Sequence, residues 1–191
     1  MKKFFGFLTI LLLTLAFSLG TAPGRAQAAF PERPVGFVVI DHDGGVSGSV
    51  YNSWRQVVKW AYHFPYYKIT DDGKAQEICS QALRGDTKVD ARTLAVLAEE
   101  CGCDVLVIAR IYAMDDTIVS GFAWHHDDTY VRVLACADLY VYKKDGDKFK
   151  KKILRERELR EMGNYEKPQE TIKWELSKLV NQMENRPIIG S

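Results

Sequence analysis

The chain has 191 residues, of which 47% are hydrophobic and 27% are charged, and its formal net charge is +1 at pH 7. This length suits one domain of ordinary size, with enough residues to bury a single core. The near balance of charge excludes the general electrostatic attraction on which most nucleic-acid binding depends. We therefore expect no nucleic-acid partner.

The first 28 residues are a predicted secretory signal peptide. Lys2 and Lys3 precede an apolar run over residues 4–19, and small residues occupy the cleavage positions before Ala29. This order of segments is typical of a cleavable signal, and the apolar run is shorter than the ~20 residues that span a bilayer. We expect a mature chain of residues 29–191 with a net charge of −2, no membrane anchor and a periplasmic or secreted location.

Helices alternate with short strands in the first half of the predicted fold. Chain order gives a strand over residues 36–41, a helix that Ser49 or Ser53 caps and Pro65 ends, a strand over 66–69 and a helix over about 71–85. Asp90 is the predicted cap of a third helix, which Gly102 ends.

Extended segments dominate the second half. Strands are predicted over residues 105–112, 116–124, 130–142 and 149–159, with a hairpin turn at Asp145-Gly146. Residues 154–161 are rich in Glu and Arg and could instead be helical. Pro168 opens the last helix. A run of strands after helices predicts a single α/β domain of the α+β type, with a mixed, mostly antiparallel sheet and helices packed on it.

The four cysteines are Cys79, Cys101, Cys103 and Cys136. An even number in an exported chain permits two disulfides, whose pairing the sequence does not define. Cys101 and Cys103 are too close in sequence for an easy mutual bridge. Free cysteine is commonly a small buried hydrophobic residue, and we expect buried thiols here.

The segment Leu97-Ala98-Glu99-Glu100-Cys101-Gly102-Cys103-Asp104-Val105-Leu106-Val107-Ile108-Ala109-Arg110-Ile111 resembles the helix-to-strand step in the amino-terminal domain of TolB and in the CsgG and LpoB envelope proteins. The later strands, the Asp-Gly turn and the final helix are also similar in order. The chain lacks the lipid-bearing cysteine of CsgG and LpoB and the propeller repeats of TolB. The resemblance implies a non-catalytic interaction or assembly module of the bacterial cell envelope, with an envelope protein as partner and no cofactor.

Aromatic residues around Pro65 form a candidate partner-binding corner: Tyr62, Phe64, Tyr66 and Tyr67. An exposed aromatic cluster is typical of a protein interface. The four tryptophans are instead expected in the core: Trp54, Trp60, Trp124 and Trp174.

Metal binding is the alternative function, either in a metal-binding protein or in a metal-dependent hydrolase. Its candidate ligands lie in a predicted loop and at the end of the first strand: His125, His126, Asp127, Asp128 and His42. Imidazole and carboxylate groups are good zinc ligands, and Asp115 and Asp116 are expected at the turn before this loop. Because neighbouring strand residues point to opposite faces, His125 and His126 share an ion only if the loop interrupts the strand.

Two further segments have structural interpretations. Residues 44–49, Gly-Gly-Val-Ser-Gly-Ser, could hold an anion at a helix N-terminus but lack a complete phosphate-loop pattern, which favours a connector. Residues 148–161 alternate basic and acidic side chains and suit a solvated strand that guards a sheet edge. The alternative is that Lys150, Lys151 and Lys152 contact an acidic polymer or a lipid headgroup.

Overall fold

Four helices pack on the two faces of a five-stranded mixed sheet in the computed structural model, which describes residues 32–63, 65–70, 72–85, 87–120, 129–163 and 165–187. The predicted signal peptide lies outside the described residues. The single α/β domain predicted from the sequence is confirmed, and the strand order is β2-β1-β3-β4-β5.

One half of the sheet is parallel. Strand β1 (Arg33–Asp41) pairs in parallel with both β2 (Tyr67–Ile69) and β3 (Val105–Ser120). Helix α1 (Gly48–Ala61) connects β1 to β2. Helices α2 (Asp72–Ala82) and α3 (Ala91–Cys101) connect β2 to β3.

The other half is antiparallel. Strand β4 (Thr129–Lys143) pairs with β3 on one side and with β5 (Lys148–Glu161) on the other. The turn between β4 and β5 contains Gly146 with a φ of 79°, as the predicted Asp-Gly hairpin requires. Helix α4 (Pro168–Met183) ends the domain.

The prediction of two strands over residues 105–112 and 116–124 was wrong, because β3 is one strand through Ser120. A bulge between Ile111 and Ala113 shifts its register, and Asp115 and Asp116 then pair with β4 instead of forming a turn. Pairing along the whole length of β4 overrides the low strand propensity of aspartate.

The sheet separates two hydrophobic cores. Face A is covered by α1 and α4, with Trp54, Val58, Leu176 and Val180 against strand residues such as Leu139. Face B is covered by α2 and α3; its buried residues include Cys79, Leu83, Leu94, Leu97, Ile108 and Tyr140. Within the described part of the chain, no helix is both long and apolar enough to cross a membrane.

Helix ends follow local side-chain chemistry. Asp90 accepts a hydrogen bond from the backbone N–H of Thr93 at 2.9 Å, as predicted. Helix α1 is capped by Ser47 instead of the predicted Ser49 or Ser53. Gly102 ends α3 in the left-handed conformation, with a φ of 68°.

The Gly102→Ala variant should lower the free energy of unfolding by about 1 kcal/mol, because a Cβ disfavours the left-handed region. Gly48→Ala is the matched control, since Gly48 is a helical residue with no atom within 4 Å of an added Cβ. Urea unfolding should show no loss of stability for the control, because alanine is compatible with the helical backbone at this position. Equal stability of the two variants would contradict the proposed helix end.

Candidate functional site

Strands β3 and β5 and the residue directly after β5 contain most of the large hydrophobic side chains that are exposed in the described structure. Eight large hydrophobic side chains are exposed among the described residues. Five of them lie on these two strands or directly after β5: Ile118, Val119, Ile153, Leu159 and Met162.

Strand β5 is an edge strand, because β4 is its one strand partner among the described residues. It contains seven basic and three acidic residues, a net charge of +4, whereas residues 29–147 and 162–191 together contain 16 basic and 22 acidic residues, a net charge of −6. The positive charge is therefore concentrated on a strand whose outer backbone groups have no partner among the described strands. We call the basic side chains of β5 the basic edge: Lys148, Lys150, Lys151, Lys152, Arg155, Arg157 and Arg160.

Three members of the basic edge have carboxylate partners. Lys152 binds Glu175, Arg155 binds Asp138, and Arg160 binds Glu156 and Glu158. The other four members have no ion pair with a described residue: Lys148, Lys150, Lys151 and Arg157. These four cations have the capacity to bind an external anion.

The basic edge presents charge on both faces of the sheet. Leu154 belongs to the core of face A, so strand alternation places Lys150 and Lys152 on that face. Lys151, Ile153 and Arg155 alternate with them and lie on face B. Arg155 pairs directly with Cys136 of β4, so both residues are on this face. A strand added beside β5 would therefore have cations next to its side chains on both faces of the sheet.

A buried arginine fixes the sheet beside this surface. Arg110 on β3 is only 2% exposed. Its guanidinium donates to the carbonyl oxygens of Gly85 and Thr87 and, from Nε, to Nε2 of His42 at 3.3 Å. The link between α2 and α3 is thereby held against face B.

Asp138 on β4 extends this network toward β5. Its Oδ2 accepts hydrogen bonds from the hydroxyls of Tyr112 at 2.9 Å and Tyr140 at 3.2 Å. Its Oδ1 lies 2.7 Å from Nη2 of Arg155, an ion pair without hydrogen-bond geometry. The Arg155 guanidinium also lies 4.9 Å from the centre of the Tyr112 ring. Asp138 therefore connects the buried network to the basic edge.

Of the predicted metal ligands, the structure describes His42 alone. Its Nε2 accepts the Arg110 hydrogen bond, and its ring stacks on Tyr112 at a centroid distance of 5.4 Å. The other four lie outside the described residues: His125, His126, Asp127 and Asp128. The residues that are described contain no group of three potential metal-ligating side chains. Because the lone pair of His42 Nε2 accepts the hydrogen bond from Arg110, it is not free to bind a metal ion in this conformation.

The predicted aromatic corner is not a continuous exposed surface. Tyr62 is 1% exposed and packs edge-on against Tyr67 at 5.0 Å, because the chain turns into the core of face A directly after α1. Tyr66 is exposed, Tyr67 is half-buried, and Phe64 lies outside the described residues. Tyr62 is therefore a core residue and cannot contact a partner in this conformation.

A groove of about 380 Å³ between α1 and α4 is lined by residues that include Trp60 and Trp174. The prediction that Trp60 fills the core was wrong, since it is 73% exposed. It lies two residues beyond the buried Val58, about 200° around the helix. Trp54 is buried as expected, whereas Trp174 is half-buried and Trp124 lies outside the described residues.

The backbone N–H groups of the loop after β1 form hydrogen bonds with the side chain of the last residue of β1. The backbone N–H groups of Asp43, Gly44 and Val46 donate to the carboxylate of Asp41 at 2.8–3.1 Å. A carboxylate of the chain thus occupies the position where this loop would hold an anion. This contact supports the connector interpretation of residues 44–49.

No family model and no curated protein matches this chain. A solved structure of a hypothetical protein from Chlamydia trachomatis is similar with 7% identity and a TM-score of 0.41, over 81% of this chain and 94% of that chain. A lipoprotein from Neisseria meningitidis is similar with 15% identity and a TM-score of 0.36, over 80% of this chain and 99% of that chain. At these values neither similarity assigns a family or a function, and the resemblance to TolB, CsgG and LpoB stays a prediction.

Burial and the neighbouring Asp138 raise the pKa of Tyr140 to about 12. This pKa is above the value of ~10 in an unfolded chain. The neutral Tyr140 hydroxyl therefore makes its full contribution to the free energy of unfolding below about pH 10, and this contribution is lost as pH rises toward 12. The stability advantage of the wild type over Tyr140→Phe should therefore narrow across this window. Urea unfolding between about pH 9 and 12 measures it, and a constant difference would contradict the burial of this hydroxyl.

Proposed function

We propose that this chain is an exported, non-catalytic interaction module of the bacterial cell envelope that binds an acidic, extended segment of a partner protein along β5. The basic edge is the observation that supports this proposal. A net charge of +4 lies on β5, which has one neighbour among the described strands, whereas the predicted mature chain has a net charge of −2. The predicted signal peptide supports export.

Strand addition supplies both affinity and selectivity in this proposal. The unpaired backbone groups of β5 would form hydrogen bonds with the added segment, which gains main-chain affinity independent of its sequence. Carboxylates of that segment would lie beside Lys148, Lys150 and Lys151, which have no ion pair with a described residue. Complementary charge also raises the association rate and disfavours wrong partners.

The same residues disfavour pairing with a second copy. Two β5 strands brought edge to edge would join two segments of charge +4, and lysine on an edge strand opposes such self-association. An acidic segment placed beside β5 would be attracted instead of repelled. The charge pattern thus protects the edge and selects its partner at once.

Exposed aliphatic groups define the character of the partner further. Ile153 and Leu159 are exposed on face B, and strand alternation places them beside Arg155 and Arg157. A segment with acidic and aliphatic side chains would therefore match this surface better than a uniformly charged polymer. We accordingly assign the site to a protein segment.

The test uses a fluorescein-labelled peptide of alternating glutamate and valine, with an alternating lysine and valine peptide as the reversed-charge probe. The Lys150→Glu, Lys151→Glu variant should weaken binding of the acidic peptide by tenfold or more in fluorescence anisotropy, because it replaces attraction by repulsion on both faces. Higher salt should weaken the wild-type complex, since both cations are near the surface.

The Lys74→Glu, Lys88→Glu variant is the matched control. It changes the net charge equally, but both lysines are exposed and lie on α2 or just before α3, away from β5. Its binding should stay close to that of the wild type. Equal weakening in both variants, or binding of anionic phospholipid vesicles without binding of the peptide, would contradict the proposal.

A further inference from the structure

The groove between α1 and α4 is lined by one face of each helix. Val57, Trp60 and Ala61 of α1 follow the i, i+3, i+4 spacing of neighbours on a helix surface. Lining residues of α4 follow the same spacing: Glu170, Lys173, Trp174, Ser177 and Asn181. The volume of about 380 Å³ is sufficient for a small ligand. No member of the basic edge lines this groove.

Two tryptophans give the groove a flat apolar surface. Trp60 is 73% exposed, although tryptophan is highly buried on average in folded proteins. Trp174 is half-buried on the facing helix. The face of an indole ring carries negative partial charge, which attracts C–H groups and cations. A ligand that matches this surface therefore presents either C–H groups or positive charge.

The charges around the groove disfavour a cationic ligand. Lys178 Nζ already lies over the Trp174 ring, 5.1 Å from its centroid, and binds Glu175 at 2.8 Å. Two acidic and two basic side chains line the groove: Glu166, Glu170, Lys173 and Arg186. Their formal charges cancel, and Glu170 is paired with Lys173 at 3.1 Å. The groove therefore matches a neutral ligand that presents C–H groups.

Polar groups beside the tryptophans add hydrogen-bonding capacity. The side-chain Nδ2 of Asn181 donates to Ser177 Oγ at 3.5 Å, a long bond that leaves most of the amide's capacity unused. The turn after α4 brings Arg186 to the groove. Asn185 adopts the left-handed conformation with a φ of 53°, and the backbone N–H of Arg186 donates to the carbonyl oxygen of Asn181 at 2.9 Å.

We infer that the groove between α1 and α4 binds a short neutral oligosaccharide. A pyranose ring presents C–H groups on its faces and hydroxyl groups around its rim. The C–H groups stack on Trp60 and Trp174, and the hydroxyls form hydrogen bonds with Asn181 and Arg186. A purely apolar ligand would desolvate these polar groups without replacing their hydrogen bonds, which is unfavourable. This inference goes beyond strand addition and does not depend on the basic edge.

Isothermal titration calorimetry with maltotriose, cellotriose and chitotriose tests the inference. The wild type should bind at least one of these neutral trisaccharides with a Kd of about 1 mM or lower. Trp60→Ala should weaken this binding by at least tenfold, because it removes a stacking surface, whereas Trp60→Phe should retain part of it. Because Trp60 is exposed and alanine favours the helix, far-UV circular dichroism should be unchanged.

Tyr66→Ala is the matched control, since Tyr66 is another exposed aromatic residue, at 55%, and does not line the groove. This variant should bind like the wild type. No saturable heat with any of the three trisaccharides up to roughly 10 mM, binding of choline in their place, or a dimer that Trp60→Ala dissociates would overturn the inference. Trp60→Ala should still bind the acidic peptide, so failure here is distinct from failure of the proposed function.

Discussion

Unequal element length is the constraint on which the rest of this structure depends. Strand β3 has 16 residues and extends for roughly 50 Å at ~3.3 Å per residue. Helix α4 also has 16 residues but extends for roughly 24 Å at ~1.5 Å per residue. Helices of this length cannot cover such strands from end to end, and five of the eight exposed large hydrophobic side chains of the described residues lie on β3 or β5 or directly after β5.

The buried network of Arg110 and Asp138 connects the central strands of the sheet to its neighbouring elements. Arg110 is satisfied by two carbonyl oxygens and a histidine, which is the requirement for a buried cation that is stable. Asp138 balances Arg155 on the neighbouring strands. The contacts of Asp138 with Tyr112 and Arg155 thus join β3, β4 and β5. Among the described strands, β5 pairs with β4 along one edge and has no neighbour along the other.

Local signals predicted much of the fold, whereas long-range contacts set the rest. The Asp90 cap, the Gly102 helix end and the Asp-Gly hairpin each depend on a few neighbouring residues, and all three are present. The continuity of β3 through Asp116 depends on pairing with β4, which propensity does not reveal. The basic run was visible in the sequence, but only the sheet order shows that it lies on an edge.

Amide hydrogen exchange across β5 is the decisive measurement for strand addition, because it reports on the backbone and not only on charge. With the acidic peptide bound, exchange should become slower at alternate residues between Lys148 and Glu161, since in an edge strand every second N–H lacks a ladder partner. Unchanged exchange in β5 with protection elsewhere, such as around Trp60, would contradict strand addition and place the partner on another surface.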